Sequence, residues 1–284
     1  MYSAFDRRVR ANFFLKDRLA EYQSLLRLLA DLGFLSLTLR DLALSIRDGT
    51  ELPRRRVLLR HDIDTDPGYV DRWLAAERQI AFQASYYFRL RTIDVSAMRR
   101  IEAGGGEASY HFEELSSVAR RRGMWKPPVK EELLKEARCE FEQNFCALQR
   151  RFGSQMLTVA AHGDFVNRKL GVTNSIITND PALRSRLGIL AEAYDEEIVN
   201  MFEARFSDCM GKKWRSDHGL EPHSVVQSGI ATIQILTHPR HWRASISANL
   251  WEDADRIISA FSNLVGLPVG GFVDYVNKRR QLTD

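Results

Sequence analysis

The chain of 284 residues is 44% apolar and 27% charged with a mean hydropathy of −0.31, which supplies a large core and excludes a disordered chain. Its 41 basic and 37 acidic residues leave a net charge of only +4, too mild to imply a nucleic-acid partner but suited to an anionic substrate. Three cysteines without a CxxC pair exclude a disulfide framework and a thiolate zinc site, and they point to a reducing compartment.

Residues 1–18 carry charges throughout and lack the apolar core of a signal peptide. No window approaches the roughly 18 uninterrupted apolar residues of a membrane helix, so the expected location is the cytoplasm, without an integral membrane segment. Leu19, Tyr22, Leu26, Leu29 and Leu32 recur at helical spacing ahead of Gly33, which predicts an amphipathic helix over 16–32. Val57–Leu59 predicts a strand running into the acidic loop HDIDTDPG, where Asp66 is placed to cap a helix opened by Pro67-Gly68. AFQASYYFR (81–89) predicts a second strand, Met98–Ala103 a short helix ended by three glycines, and EASYHFEEL a strand ending near His111. The clearest helix spans 127–153, with Val129, Leu133, Ala137, Phe141, Phe145, Leu148 and Phe152 on one face. MLTVAA (156–161) is a buried strand leading into His162. Residues 183–190 suit a helix, and IVNMFEARFSD fits neither period cleanly. TIQILT (232–237) is a last strand ending on His238, and 249–265 suits a closing helix. With no repeat and no Pro, Gly or Ser-rich linker, the expectation is a single domain over 1–284, a helical extension (1–50) packed on a barrel (51–284).

Strands alternate with helices, and polar residues follow strand after strand. In parallel α/β barrels the strand-to-helix loops converge on one rim, where catalytic groups sit. Asp62, Asp64, His111, His162 and His238 are all expected there. Two carboxylates two residues apart on an extended segment point the same way, and they stay ionised together only if a cation or strong donors neutralise them. A divalent metal held by Asp64 and imidazoles from neighbouring strand ends fits that need, zinc first, with iron, cobalt or manganese as alternatives. Asp62 is then free to take a proton from a water that the metal acidifies, and His61 supports the acidic pair without ligating. Nucleophile-elbow, phosphate-loop and HExxH motifs are absent from the sequence.

RHDID (60–64), ASYYFR (84–89), GGGEASYHFEEL (104–115), AAHGD (160–164) and LTHPRHW (236–242) occur in the order found in the polysaccharide deacetylase family, which the chain resembles over roughly 16–262. The likeness is to a divergent HDxD branch associated with bacterial surface-polysaccharide biosynthesis. It implies an irregular (β/α) barrel of about seven strands and a metal-dependent deacetylase of the carbohydrate esterase family 4 type. It makes Asp62 the catalytic base, Asp64 a metal ligand and His111 the first histidine of an H-x-x-x-H pair whose second position is Leu115. His162 or Glu113 then completes the ligand set; alternatively, His162 pairs with Asp62 where the family has an arginine. His238 matches the general acid, and Asp208 resembles a supporting acid. Tyr110 and Trp242 are candidates to stack on a sugar ring. The expected reaction removes an N-acyl group, such as acetyl, from an amino sugar of a small-molecule or lipid-linked glycan precursor. The alternatives are an allantoinase-like hydrolase of another C–N bond and a non-catalytic glycan-binding descendant.

Overall fold

The run RVLLRHDI forms strand β2 (Arg56–Ile63), and its alternation sorts side chains onto two faces. Val57, Leu59 and Ile63 join an outer apolar layer under the helices, while Leu58 joins a smaller inner cluster. Arg60 and Asp62 share the face of Leu58, and His61 takes the other. The computed structural model describes residues 9, 12–209, 212–217, 219, 221–250, 253, 254 and 257.

The other strands are β1 (Leu35–Leu37), β3 (Ser85–Phe88), β4 (Glu107–Phe112), β5 (Thr158–Ala161), β6 (Ala191–Glu192), β7 (Ala204–Cys209), β8 (Lys212–Ser216) and β9 (Thr232–Thr237). They form one sheet in the order β6-β5-β4-β3-β2-β9-β7-β8, with β1 paired to the start of β2. Only β8 runs against the rest. The sheet is strongly curled. Strands β2 and β6 stand four positions apart, roughly 19 Å across a flat sheet at about 4.8 Å per strand, yet Arg60 Nη2 on β2 lies 3.3 Å from the hydroxyl of Tyr194, two residues beyond β6. The fold is therefore a half-barrel, an α/β architecture with a parallel-dominated sheet.

Helices α1 (Leu19–Asp31), α3 (Val70–Arg78), α4 (Val95–Ala103), α5 (Glu114–Arg121) and α6 (Glu131–Phe152) supply outer-layer side chains. The periodic residues of α6 from Leu133 to Phe152 are buried as a stripe, and Gly153 ends the helix at φ 81°, a conformation that suits glycine. The inner face is filled differently. Thr38 caps α2 (Leu39–Asp48), and Leu39, Leu42 and Ala43 of that helix pack against Leu58, Tyr87, Ala160 and Ala191. Leu39 N donates to Ser85 Oγ, and Arg40 N donates to Glu107 Oε2. Residues 35–48 are thus part of the barrel: α1 is an outer helix, but β1 extends the sheet and α2 fills its concave face. Asp66, expected as a cap, makes no capping bond and instead accepts from Arg243 at 2.7 Å. The closing helix expected over 249–265 lies for the most part outside the described residues. Among the described residues no helix is long and apolar enough to cross a membrane.

Candidate active site

Inner-face residues at the C-terminal ends of β2, β4, β5 and β9 converge. On β4 the parity that turns His111 inward turns Tyr110 outward; on β5 it aims His162 inward from just beyond the strand end, and on β9 it does the same for His238. His111 Nδ1 lies 2.8 Å from the carbonyl of Ala160, which accepts only, so this nitrogen carries the proton and the lone pair is on Nε2. That Nε2 lies 3.3 Å from Asp64 Oδ1, and His162 Nε2 lies 3.6 Å from the same oxygen. Asp64 Oδ1 is buried and has no hydrogen-bond partner.

This donor set fits a divalent cation. A tetrahedral zinc with bonds of about 2.1 Å separates its ligand atoms by roughly 3.4 Å, which matches the two nitrogen–oxygen distances. Burial acts to raise the Asp64 carboxyl, but the imidazoles of His162, His111 and His238 around it more than offset that and hold it well below the usual carboxylate range. The oxygen sits where positive charge is wanted. Among the described residues these three side chains form one of three groups able to hold a metal.

Asp62 is held by the buried Arg60, with Nε donating to Oδ1 at 2.8 Å and Nη2 to Oδ2 at 2.7 Å. Burial raises the Asp62 carboxyl, and Arg60, His111 and His238 more than offset that, so it is an anion at neutral pH. The arginine beside Asp62 is Arg60. His162, considered for that place, faces Asp64 and Glu113 instead. The sequence does carry this signal, since Arg60 lies two residues before Asp62 on the same strand face. Glu113 is the partner of Arg89, whose Nε donates to Oε1 at 3.0 Å and whose Nη2 bonds Oε2.

His238 stands on the other side of Asp62, with Nε2 4.0 Å from Asp62 Oδ2. Its Nδ1 donates to Asp208 Oδ1 at 2.6 Å. Asp208 also accepts from His238 N, His241 Nδ1 and Trp242 Nε1 at 2.8, 2.9 and 2.7 Å. Burial of the imidazole disfavours its charged form, but Asp208, with Asp64 and Asp62 behind it, raises the pKa to about 9. His238 is therefore a charged imidazole at neutral pH, held by a carboxylate hub.

Three expectations are corrected. Tyr110 is wholly buried in the outer layer, stacked on Phe141 with its hydroxyl on Glu114, because its neighbour His111 takes the inner face. Trp242 is 1% exposed, under Arg18 and bonded to Asp208. Neither ring is open to a sugar. His61 turns its back on the acidic pair: it stacks on Trp73 and joins Glu77 and Thr237 on the outer face. The sequence places His241 near the rim without a role and does not single out Tyr194. His241 shares Asp208 with His238, and Tyr194, 49% exposed, lays its ring 4.5 Å from the guanidinium of Arg60. His241 lies three residues after His238, a spacing open to notice; nothing in the local sequence marks Tyr194.

No protein-family model and no curated protein matches the chain. Among solved structures it is similar to the deacetylase PplD of Streptococcus pyogenes in complex with acetate (11% identity, TM-score 0.42, 60% of this chain and 74% of that one). It is also similar to IcaB from Ammonifex degensii (11%, TM-score 0.42, 54% and 73%) and to the BpsB deacetylase domain from Bordetella bronchiseptica (13%, TM-score 0.42, 80% and 87%).

Proposed function

We propose that the protein is a metal-dependent hydrolase that removes an N-acyl group, acetyl in the simplest case, from an amino sugar in surface-glycan biosynthesis. The observation that carries this reading is the buried, unpartnered Oδ1 of Asp64 facing Nε2 of both His111 and His162. An amide is a poor electrophile with a poor leaving group, so its hydrolysis needs a polarised carbonyl, a deprotonated water and a proton for the departing nitrogen. A divalent cation held by Asp64, His111 and His162 supplies the Lewis acid, zinc being the first choice for this nitrogen and oxygen set.

Asp62 takes the proton from the attacking water. Both of its oxygens accept from Arg60, and each keeps a lone pair for the substrate side. His238, charged at neutral pH, gives its proton to the departing amine. Base and acid stand on opposite sides of one gap, Asp62 Oδ2 and His238 Nε2 being 4.0 Å apart. Asp208 fixes the imidazole so that Nε2 is the nitrogen turned toward the reaction. Tyr194 offers the half-exposed aromatic face that Tyr110 and Trp242 do not.

The test measures divalent metal in the purified protein and in Asp64→Ala, with release of free amine from N-acetylated amino sugars and their nucleotide-linked forms. The expected result is one metal per wild-type chain, little in the variant, and turnover that Asp62→Asn abolishes. Wild-type protein that takes up no stoichiometric metal and hydrolyses none of these substrates overturns the enzymatic reading. Full turnover in Asp62→Asn overturns the assignment of the base.

A further inference from the structure

His162 has a second nitrogen that the ligand role does not use. Its backbone is pinned on both sides, with N donating to the carbonyl of Phe112 at 2.8 Å and its own carbonyl accepting from Asn174 Nδ2 at 2.6 Å. That leaves the ring as the free element, and the charged group facing its Nδ1 is Glu113, at ion-pair distance but outside hydrogen-bonding alignment. His162 Nδ1 lies 3.3 Å from Glu113 Oε2, on the opposite side of the imidazole from Asp64. Glu113 in turn is engaged through both of its oxygens by Arg89, which is itself 2% exposed, with its backbone N tied to Thr92 Oγ1 at 3.1 Å.

We propose that Glu113, held by Arg89, is the positioning residue for His162, fixing the imidazole with Nδ1–H toward the carboxylate and Nε2 toward Asp64. This rests on the metal reading above. It also separates the two residues that competed for the third ligand position: His162 ligates and Glu113 stands behind it. The two imidazoles of the site are then set by different devices, His111 by a neutral backbone carbonyl and His162 by an anion. A carboxylate behind a ligating imidazole fixes its tautomer and makes its other nitrogen a stronger donor, and losing such a partner weakens metal binding roughly 10- to 100-fold.

The experiment titrates the full chain with Co²⁺, reading affinity by calorimetry and the ligand field by visible absorption, for wild type, Asp64→Ala, Glu113→Gln and Glu113→Ala. The expected result is one site in wild type, loss of that site in Asp64→Ala, and affinity in Glu113→Ala lowered roughly 10- to 100-fold with a displaced absorption band. Glu113→Gln, which keeps an acceptor oxygen but no charge, is expected to fall between the two. A merely structural Glu113 lowers the melting temperature of its variants and leaves affinity and spectrum of the folded fraction as in wild type, which overturns the proposal while leaving the metal reading intact. Wild type that binds no Co²⁺ overturns both, and is told apart by that control alone. Because Arg89 without Glu113 leaves a buried cation, a measurement on unmutated protein runs alongside. In Zn²⁺-loaded wild type, nitrogen-15 spectra are expected to report His162 as protonated on Nδ1, with His162→Ala giving the assignment. Protonation on Nε2 refutes the arrangement without any folding ambiguity.

Discussion

Replacing Asp208 by Asn keeps the shape of the hub and removes its charge. His238 is held at about 9, against an ordinary value of 6.5, by Asp208 in opposition to burial of the ring. Without that carboxylate the imidazole loses its largest support against burial and falls from about 9 toward the ordinary 6.5, which is the limiting case in which Asp64 and Asp62 only balance burial. A fall of about 2.5 units corresponds to about 3 kcal/mol of lost preference for the charged form. The raised value means that His238 contributes stability fully below about 6.5 and loses it as pH rises through about 9; its acid function is lost over the same range. At pH 8 the protonated fraction drops from about 0.9 to about 0.03, a thirtyfold loss, whereas at pH 6 it stays near 0.8. Asp208→Asn is therefore expected to be nearly active at pH 6 and about thirtyfold impaired at pH 8. A bound cation offsets part of the Asp62 and Asp64 charge, so the alkaline limb of the holoenzyme falls at or below about 9, and the displacement between the two proteins is the quantity to read. Titration of the His238 ring protons by NMR measures it without substrate, and the pH dependence of kcat/KM measures it with substrate. A midpoint unchanged to within half a unit, or an equal loss of rate at pH 6 and pH 8, refutes the reasoning.

Arg60→Met leaves the Asp62 carboxylate buried without its cation, since the pair is 0% and 3% exposed. Denaturant unfolding at pH 7 is expected to register a loss of about 3–5 kcal/mol. Asp62 has a depressed pKa, so its stabilisation is present above the unfolded carboxyl value and lost as pH falls through the folded one. The acid limb of the activity profile moves to higher pH in this variant, and an unmoved limb contradicts the base assignment. Tyr194→Ala is expected to raise KM roughly two- to tenfold at unchanged kcat, the yield of about 0.5–1.5 kcal/mol for an aromatic face contact, while Tyr194→Phe stays near wild type; a fall in kcat at constant KM removes Tyr194 from the binding surface. Leu115→His places a polar ring in the outer apolar layer, where Leu115 is 0% exposed. The expected outcome is a melting temperature lower by roughly 2–12 °C with no gain in metal affinity, from about 1–3 kcal/mol for the unpaired group at about 2–4 °C per kcal/mol in a chain of this size. Tighter metal binding places that position at the metal after all.

The alternation of β2 was legible in the sequence, and so were the strand ends that carry His111, His162 and His238, because a period of two needs no tertiary information. The same rule, applied one residue further, sends Tyr110 outward from His111 and His61 outward from Asp62, so these two misplacements lay within reach of the sequence. What the period cannot reveal is the curl. Arg60 meets Tyr194 only because the sheet bends β6, four positions away, back over β2. Residues 35–48 fall within the helical extension expected over 1–50 for a related reason: the leucines of α2 pack on a concave inner face that exists only once the sheet has curved.

Ranking the two aspartates of HDID by role also needed the folded chain. In sequence they are equivalent carboxylates on one face, and only partners distinguish them. Around the rim, arginines hold Asp62, Asp66, Glu113 and Asp164, through Arg60, Arg243, Arg89 and Arg120 respectively, and Asp208 is surrounded by N–H donors. Asp64 has neither an arginine nor a lysine within ion-pair distance among the described residues; it meets only imidazole nitrogens, one of which, on His111, is fixed by a backbone carbonyl as a lone-pair donor. A carboxylate whose neighbours already supply fixed cations has no need of a metal and keeps its lone pairs for protons. A buried carboxylate facing other lone pairs is costly unless a cation lies between them. The division of labour proposed for base and ligand rests on that pairing pattern, which the one-residue difference between Arg60 and His61 on alternate faces of β2 sets in motion.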